Sequence, residues 1–216
     1  MSNISVIGSG SLAAAVGGLA AKAGHSVEVM SRDAAKARAL AAQLGAGATT
    51  GMFGAVPTGD LVILAIPYAV VLDVVKQYGA KLSGKILVDV TNPIDSDFKG
   101  FVTPAGSFGA RELAKAAPAD ASVVKAFNAQ FSHVLAAGPV ASRPLDVFLA
   151  GDDAPAKARV VAFIESLGLR PMDAGPLLMA RTLENAALLT LGLVTHSFDH
   201  THFSLGVSLR STQKEQ

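Results

Sequence analysis

The stretch Ile4–Val16, ISVIGSGSLAAAV, decides how the fold of this chain is predicted. A β-branched run ends in glycines, and a series of small residues of helical length follows it. Gly8, Gly10 and Ala13 form G-x-G-x-x-A: the first glycine allows a tight turn, the second admits a pyrophosphate, and the alanine keeps the helix close to the sheet. Backbone N–H groups at the start of such a helix face the anion. We therefore predict a dinucleotide-binding turn between the first strand and the first helix.

The segments that follow alternate between strand-like and helix-like patterns. DLVILAIP and KILVDVTNP are continuously apolar, as in strands buried on both faces, and helical spacing follows the first of them. The chain is predicted to end in a long helix, PLLMARTLENAALLTLGLV, and a strand, HFSLGVSLR. This order predicts an α/β fold with a doubly wound, mostly parallel sheet of the Rossmann type. We expect a single domain over residues 1–216, with a core at 1–175 and a C-terminal helix and strand at 176–210. Residues 91–120 are the longest irregular stretch and are expected to form a loop over an active site.

The composition excludes several classes of protein. Half of the 216 residues are apolar, 16% are charged and none is cysteine, which excludes a disordered chain, a disulfide framework and thiol catalysis. The net charge is +1, and the scattered Lys and Arg residues mark no nucleic-acid partner. The longest apolar run, Leu61–Val75, is interrupted by Pro67 and Asp73 and is too short to span a bilayer. We therefore expect a cytoplasmic protein with no membrane partner.

The end of the second predicted strand, VEVMSR, indicates which dinucleotide binds. Chains that bind NAD place an acid on the ribose 2′-hydroxyl about 20 residues past the glycines, and this chain has Ser31 and Arg32 there. A guanidinium can pair with a 2′-phosphate through two charge-assisted bonds, Ser31 can donate another, and Lys36 lies one helical turn further on. The nearest acid, Asp33, is expected to cap the next helix. The pattern therefore predicts NADP(H) rather than NAD(H).

Six segments give the chain a resemblance to a known family: GSGSLA, SRDAAKA, AIP, LSGKILVDVTNP, VVKAFN and LGLRPMDAGPL. They resemble segments of the NADP-dependent oxidoreductases of the coenzyme F420 (deazaflavin) type, whose fold also forms the cytoplasmic reductase domain of the STEAP metalloreductases. The resemblance implies an enzyme that transfers hydride between NADP(H) and a deazaflavin or flavin, with coenzyme F420, FMN or FAD supplying the second ring. Asn128 stands where archaeal deazaflavin reductases carry a histidine, so the donor is identified more closely than the acceptor.

The same resemblance implies a role for each matched residue. Ser9 would join the group around the 2′-phosphate, and Ile66 and Pro67 would pass beside the ribose and the nicotinamide. Asn128 is the catalytic candidate, orienting the nicotinamide or the second ring, and Ala174–Pro176 would shape the pocket for that ring. The residues expected to bind the cofactor are Gly8, Ser9, Gly10, Ser11, Leu12, Ser31, Arg32, Lys36, Ala65, Ile66, Pro67, Asn92, Ala126, Asn128, Ala174, Gly175 and Pro176.

No pair of side chains in the sequence is a convincing acid and base. Asp152 and Asp153 precede a helix and are expected to cap it, while Arg181 and Glu184 lie one turn apart and are expected to pair at the surface. Reduction of a carbonyl needs a proton donor at oxygen, whereas hydride transfer to a flavin-type ring needs mainly stacking and distance. The sequence therefore favours a small-molecule ring as the redox acceptor.

Two alternatives stay open. One is a small NADP-dependent dehydrogenase of an organic carbonyl or imine, whose substrate domain would come from a dimer partner, because only about forty residues follow RPMDAG. The other is a non-enzymatic NADP-binding protein.

The C-terminal part of the chain carries two further predictions. The apolar segment LENAALLTLGLV predicts a homodimer. His196, His200 and His202 are expected to lie at a polar helix end or at the dimer interface. We expect them to hold no metal, because no acid or cysteine completes a site of known spacing.

Overall fold

Eight strands form one sheet in the computed structural model of the protein, which describes residues 1–45, 47–138 and 144–208. The strands are β1 (Asn3–Ile7), β2 (Ser26–Ser31), β3 (Thr49–Met52), β4 (Leu61–Leu64), β5 (Ile86–Asp89), β6 (Ser122–Ala126), β7 (Asp146–Gly151) and β8 (Arg170–Asp173). Their order across the sheet is β3-β2-β1-β4-β5-β6-β7-β8, and every neighbouring pair is parallel except β6 and β7. The predicted Rossmann-type sheet is confirmed.

Helices cover both faces of this sheet. They are α1 (Ser11–Lys22), α2 (Ala34–Leu44), α3 (Tyr68–Tyr78), α4 (Gly109–Ala116), α5 (Ser132–Ala137), α6 (Ala154–Ser166) and α7 (Ala180–His196), with short 3-10 turns at Gly79–Leu82 and Leu177–Met179. The apolar core on one face comes from α1, α2, α5 and α6, and the core on the other face comes from α3, α4 and α7. Strands β4 and β5 are buried along their whole length because both of their faces are covered.

Aspartates begin two of the helices as predicted. The carboxylate of Asp33 accepts two backbone N–H groups of the first turn of α2, both at 3.0 Å, and the carboxylate of Asp153 accepts one from α6 at 2.7 Å. Asp152 was expected to cap the same helix. It instead accepts the backbone N–H of Leu177 at 2.7 Å and holds the turn that leads into α7.

The direction of the last two strands decides what lies at each edge of the sheet. Strand β7 runs against β6, with Leu149 opposite Ala126 and Gly151 opposite Val124, and β8 runs parallel to β7. The carboxyl ends of β7 and β8 therefore point toward the side of the sheet where the amino ends of β1, β4, β5 and β6 lie. The segment after β8 leaves the sheet at that edge, away from the glycine turn that follows β1.

The predicted C-terminal strand does not form in the part of the chain that the structure describes. Residues 202–208 have no regular structure, and the remaining two positions of that strand lie outside the described residues. The ring of Phe203 packs against the rings of Phe131 at 5.5 Å and Phe198 at 4.9 Å. The N–H of Val207 donates to the Asp146 carboxylate at 2.6 Å. These contacts, rather than strand pairing, hold the described part of this segment.

Two elements formed that the sequence pattern did not predict. Strand β3 has the sequence TTGM, mostly exposed, and lacks the apolar run of the central strands. Helix α5 has only six residues, too few to show a helical period. Helix α4 begins at Gly109 and divides residues 91–120, in agreement with the helical pattern of SFGARELAKAAP.

The C-terminal helical segment has more apolar surface than the sheet covers. The segment Leu177–His196 is long and apolar enough to cross a membrane by length and composition alone, and 33% of its most apolar window is buried inside the protein. Leu178 and Leu189 are 57% and 55% exposed. The helix therefore presents apolar surface that the described part of this chain leaves uncovered.

Candidate functional site

The glycine turn after β1 has the geometry of a phosphate cradle. Gly8 has a φ of +132°, and a Cβ there would lie 2.1 Å from the carbonyl oxygen of Ala65, so only glycine fits. Gly10 is the N-cap residue of α1, and nothing lies within 4 Å of the place where its Cβ would be. The N–H groups of Ser11 and Leu12 belong to the first turn of α1 and have no acceptor within the helix. The turn therefore offers a diphosphate an open approach and free donors.

A cavity of about 340 Å³ extends from this turn along the carboxyl ends of β1, β2 and β4. Its lining residues are Gly8, Ser9, Gly10, Ser31, Arg32, Asp33, Lys36, Phe53, Ala65, Ile66, Pro67, Val70 and Val74. Nine of these thirteen were proposed from the sequence as cofactor ligands. The structure thus brings together the residues expected to hold the phosphates and those expected beside the ribose.

The polar end of this cavity is suited to a phosphate. The hydroxyl oxygens of Ser9 and Ser31 lie 3.0 Å apart, so both hydroxyls can donate to one anion. Arg32 is exposed, and no carboxylate of the described residues lies within ion-pair distance of it. Asp33 also lines the cavity, but one of its carboxylate oxygens is held by the N–H groups of α2, and Lys36 lies 3.9 Å from the other. The guanidinium therefore remains available for a ligand.

A second cavity, of about 580 Å³, adjoins the first and shares Ser31, Arg32 and Phe53 with it. The residues that line it are Ser31, Arg32, Ala34, Ala37, Arg38, Thr50, Gly51, Met52, Phe53 and Gln77. Its position beside Ser31 and Arg32 gives room for an adenine attached to a 2′-phosphorylated ribose. Phe53 and Arg38 were not among the predicted site residues. The apolar–glycine pattern MFG after the short strand was the available signal for Phe53.

Asn92 and Asn128 form an amide pair where β5 and β6 end. The side-chain N–H₂ of Asn92 donates to the carbonyl of Asn128 at 2.7 Å. The side-chain N–H₂ of Asn128 donates to Oδ1 of Asn92 and to the carbonyl of Leu183, both at 2.9 Å. Both donors of Asn128 are thus in use, and its Oδ1 is the group left to accept from a nicotinamide carboxamide. The preceding residue, Phe127, has a φ of +62° and is buried, so packing holds this turn in a conformation that non-glycine residues rarely adopt.

Four of the residues expected to bind the cofactor, Ala126 and Ala174–Pro176, lie away from the amide pair and the cavity. The side chain of Ala126 is fully buried in the core beneath α1 and α6. The carbonyl of Gly175 accepts the N–H of Gly151 at 3.1 Å and the ammonium of Lys157 at 3.2 Å. Ala174–Pro176 thus lie at the edge of the sheet away from the glycine turn. The direction of β7 and β8, antiparallel to β6, accounts for this position.

A buried ionic cluster behind the amide pair was missed by sequence reasoning. The ammonium of Lys125 contacts carboxylate oxygens of Asp89 at 2.9 Å and Glu184 at 3.1 Å, and it donates to the carbonyl of Thr91 at 2.5 Å. All three charged side chains are at most 2% exposed. We call Lys125, Asp89 and Glu184 the buried triad. The available signal was a lysine inside the apolar strand SVVKA and an aspartate in ILVD, because buried charges require partners.

The expectation that Glu184 pairs with Arg181 at the surface is wrong. The carboxylate of Glu184 accepts the N–H groups of Gly109 at 2.9 Å and Ala110 at 3.0 Å, at the start of α4. Glu184 lies on the face of α7 that is turned toward the sheet, and it is 1% exposed. The first-turn donors of α4 and the ammonium of Lys125 compensate its charge.

Tyr68 lies between the cavity and the buried triad. It follows Pro67 in the cavity wall, and a Cβ at Gly109 would lie 3.1 Å from its ring and 2.9 Å from the Glu184 carboxylate. Burial raises the pKa of Tyr68 to about 12, and the charges of Glu184, Glu112 and Asp89 add to the effect. Its hydroxyl therefore stays protonated at neutral pH and is a weaker acid than that of an ordinary tyrosine.

The histidines near the C-terminus take part in a cluster of rings. The ring of His202 lies 4.9 Å from that of His133 and 6.0 Å from that of His200, while His196 ends α7. Within the described residues, no group of three His, Cys, Asp or Glu side chains could hold a metal ion. The absence of a structural metal stays a prediction.

Comparison with known proteins identifies NADP-dependent oxidoreductases as relatives, in agreement with a dinucleotide site that can accept a 2′-phosphate. Residues 3–93 match the family described as NADP oxidoreductase, coenzyme F420-dependent. The chain is 30% identical over 165 residues to the F420-dependent NADP reductase of Methanocaldococcus jannaschii, covering 73% of this chain and 70% of that protein. It is 31% identical over 184 residues to the metalloreductase STEAP3 of Rattus norvegicus, covering 84% of this chain but only 35% of that protein. A crystal structure from Arthrobacter sp. FB24, provisionally assigned as an F420-dependent NADP reductase, superposes with a TM-score of 0.84 at 25% identity. It covers 97% of this chain and 100% of that one.

Proposed function

Because the chain belongs to the family of coenzyme F420-dependent NADP oxidoreductases, and is an NADP-dependent oxidoreductase, we propose that it transfers hydride between NADP(H) and the ring of a deazaflavin or flavin. The M. jannaschii relative is named for both partners of this reaction. Coenzyme F420 is the first candidate for the acceptor, and FMN or FAD is the second.

One observation carries the donor half of the proposal. Ser9, Ser31 and Arg32 line the same cavity as the glycine turn, and no described carboxylate pairs with the guanidinium. An adenosine ribose placed there with its diphosphate at Gly10 would bring its 2′-substituent to the two hydroxyls and the guanidinium. A 2′-phosphate satisfies those donors, whereas a 2′-hydroxyl leaves the guanidinium without a partner.

The chain's own residues bind and orient rather than exchange protons. The N–H groups that begin α1 bind the diphosphate, while Ile66 and Pro67 provide an apolar wall beside the ribose. Oδ1 of Asn128 accepts from the carboxamide and fixes one face of the nicotinamide toward the acceptor. Bound NADPH supplies a hydride from C4 of its nicotinamide, and the proton that completes reduction of the acceptor ring comes from solvent.

The setting of this activity is also a proposal. A homodimer is supported by the exposed apolar side chains of Leu178 and Leu189 on the C-terminal segment. A cytoplasmic location is supported by the absence of cysteine from the sequence.

Stopped-flow absorbance separates this proposal from its alternatives. Enzyme and NADPH are mixed in turn with coenzyme F420, with FMN or FAD, and with small ketones and imines. We expect the spectrum of at least one free ring to change at a rate that saturates with NADPH. Reduction of only a ketone or imine would support the dehydrogenase alternative, and no turnover with any acceptor would support a non-enzymatic role.

A further inference from the structure

The buried triad is joined to the amide pair by a short chain of contacts. Glu184 follows Leu183 in α7, and the carbonyl of Leu183 accepts from the side chain of Asn128 at 2.9 Å. On the other side, Lys125 donates to the carbonyl of Thr91, the residue before Asn92, at 2.5 Å. Asn92 is therefore next in sequence to Thr91, whose carbonyl Lys125 holds. Asn128 is bonded to the carbonyl of Leu183, which is next in sequence to Glu184.

The triad is the place where four elements meet. Asp89 ends β5, Lys125 lies in β6, and Glu184 lies in α7 and holds the N-terminus of α4. The remaining oxygen of Asp89 accepts the backbone N–H of Thr91 at 2.9 Å and its hydroxyl at 2.7 Å. These bonds fix the conformation of the turn after β5 and the distance between α7 and β6. The Asn128 amide bonds to Asn92 in that turn and to Leu183 in α7, so both features determine its orientation.

Stability alone is a weak reason for such a cluster. One ammonium faces two carboxylates in an interior from which water is excluded, and the desolvation of buried ions often exceeds their mutual attraction. Apolar side chains of similar volume would hold β6 and α7 together as well. Directional bonds differ from apolar packing because they define orientation as well as proximity.

We propose that Glu184 and Lys125 are positioning residues for hydride transfer, which act by holding the Asn128 amide in the orientation that receives the nicotinamide of NADP(H). Neither residue touches the reacting atoms. This inference rests on the proposed function, because it assigns Asn128 to the nicotinamide.

A double-mutant cycle tests whether Glu184 acts through Asn128. Glu184→Gln keeps the size of the side chain and weakens its bonds to Lys125 and to α4, and Asn128→Ala removes the amide. We expect each single variant to lower the single-turnover rate between about tenfold and a hundredfold, with the Kd of NADPH changed less than about twofold. The double variant should be no slower than the slower single variant, because the second change removes nothing further.

A matched control tests whether the loss of any nearby glutamate charge lowers the rate, and a second variant replaces Glu184→Gln if that protein does not fold. Glu112→Gln neutralises another glutamate of the same region, which pairs with Lys115 at 2.8 Å and forms no hydrogen bond with the amide pair among the described residues. This variant should leave the rate unchanged. Where Glu184→Gln fails to fold, Glu184→Asp keeps the charge and shortens the side chain, and it enters the same cycle. Losses that multiply in the double variant would overturn the proposal, as would a Glu184 variant with the parent rate.

A readout without any acceptor separates this inference from the proposed reaction. Bound NADPH changes its fluorescence emission when the nicotinamide is held in a fixed environment. We expect Glu184→Gln and Asn128→Ala to reduce that change alike and the Glu112→Gln control to keep it. If the parent protein reduces no ring but the two variants still share this loss, the reaction is wrong and the positioning stands. An unchanged emission in the Glu184 variant overturns the positioning, whatever the parent reduces.

Discussion

Replacing Arg32 by alanine removes a guanidinium that has no ion-pair partner among the described residues and that lines both cavities beside Ser31. A hydrogen bond to a charged group contributes about 1.5–3 kcal/mol, and an exposed position such as this one reduces the contribution through solvent screening. We therefore expect Arg32→Ala to lose about 1–3 kcal/mol of NADPH binding, which corresponds to a rise in Kd of about 5- to 150-fold. NADH has no phosphate at this position, so its Kd should change by less than about twofold.

Isothermal titration of both nucleotides into both proteins measures these four affinities. Arg159→Ala is the matched control. Arg159 pairs with Asp60 at 2.9 Å where β4 begins, at the end of the strands away from the glycine turn, so this variant should leave both affinities unchanged. The loss of NADPH affinity should also shrink as salt is raised, because added ions screen the contact. Equal loss for NADPH and NADH would refute the assignment of Arg32 to the 2′-phosphate, as would equal affinities of the unmutated protein for the two nucleotides.

Three further predictions follow from other parts of the structure. Ser31→Asp places a carboxylate beside Ser9, whose hydroxyl oxygen lies 3.0 Å from that of Ser31, and should reverse the preference toward NADH in the same titrations. A retained preference for NADPH would contradict it. The mass from light scattering should be twice the 21.9 kDa of one chain and should fall to one chain in Leu189→Glu, while a monomeric parent would rule out the homodimer. Burial, with a smaller effect of the N-terminal charge, lowers the pKa of His25 below its ordinary value of 6.5. The unfolded state therefore binds more protons, so the contribution of His25 to stability is present above pH 6.5 and is lost as the pH falls through the lowered pKa. The unfolding free energy in urea should accordingly fall less in His25→Gln than in the parent between about pH 7 and pH 5, and parallel curves would contradict this.

The first half of the site could be predicted from the sequence because its determinants are local. The φ of +132° at Gly8 and the approach of Ala65 to it follow from a glycine at the end of a strand. The pair Ser31–Arg32 was located by counting from that turn, and the structure places both residues in one cavity with the glycines.

The second half depends on strand direction, which no local pattern encodes. Strand β8 (Arg170–Asp173) runs parallel to β7 and against β6. That reversal places Gly175 beside Gly151, at the edge away from the proposed nicotinamide site. Asn128 and Asn92, by contrast, follow strands that keep the common direction, and their side chains meet where those strands end.

Burial of charge could not be predicted from helical spacing. Arg181 and Glu184 lie three positions apart in a helix, which is the ordinary arrangement of a surface pair. The partner that determines the position of Glu184 is Lys125, 59 residues earlier in the chain, and the N–H groups of α4 complete its coordination. In the C-terminal segment FSLGVSL, the apolar residues that suggested a strand include Phe203, which packs on other rings.

The most direct test of the central claim follows the hydride itself. NADPH deuterated at C4 of the nicotinamide is mixed with the enzyme and coenzyme F420, and the reduced deazaflavin is examined by mass spectrometry and NMR. A deazaflavin keeps the transferred atom because it carries carbon at the position where a flavin has exchangeable nitrogen. The account predicts one deuterium at that ring carbon for each NADPH oxidised when both C4 positions are labelled, and it predicts that only one of the two singly deuterated epimers passes its deuterium on. Reduced deazaflavin without deuterium, or no deazaflavin reduction while deuterium enters a small ketone or imine, would contradict it.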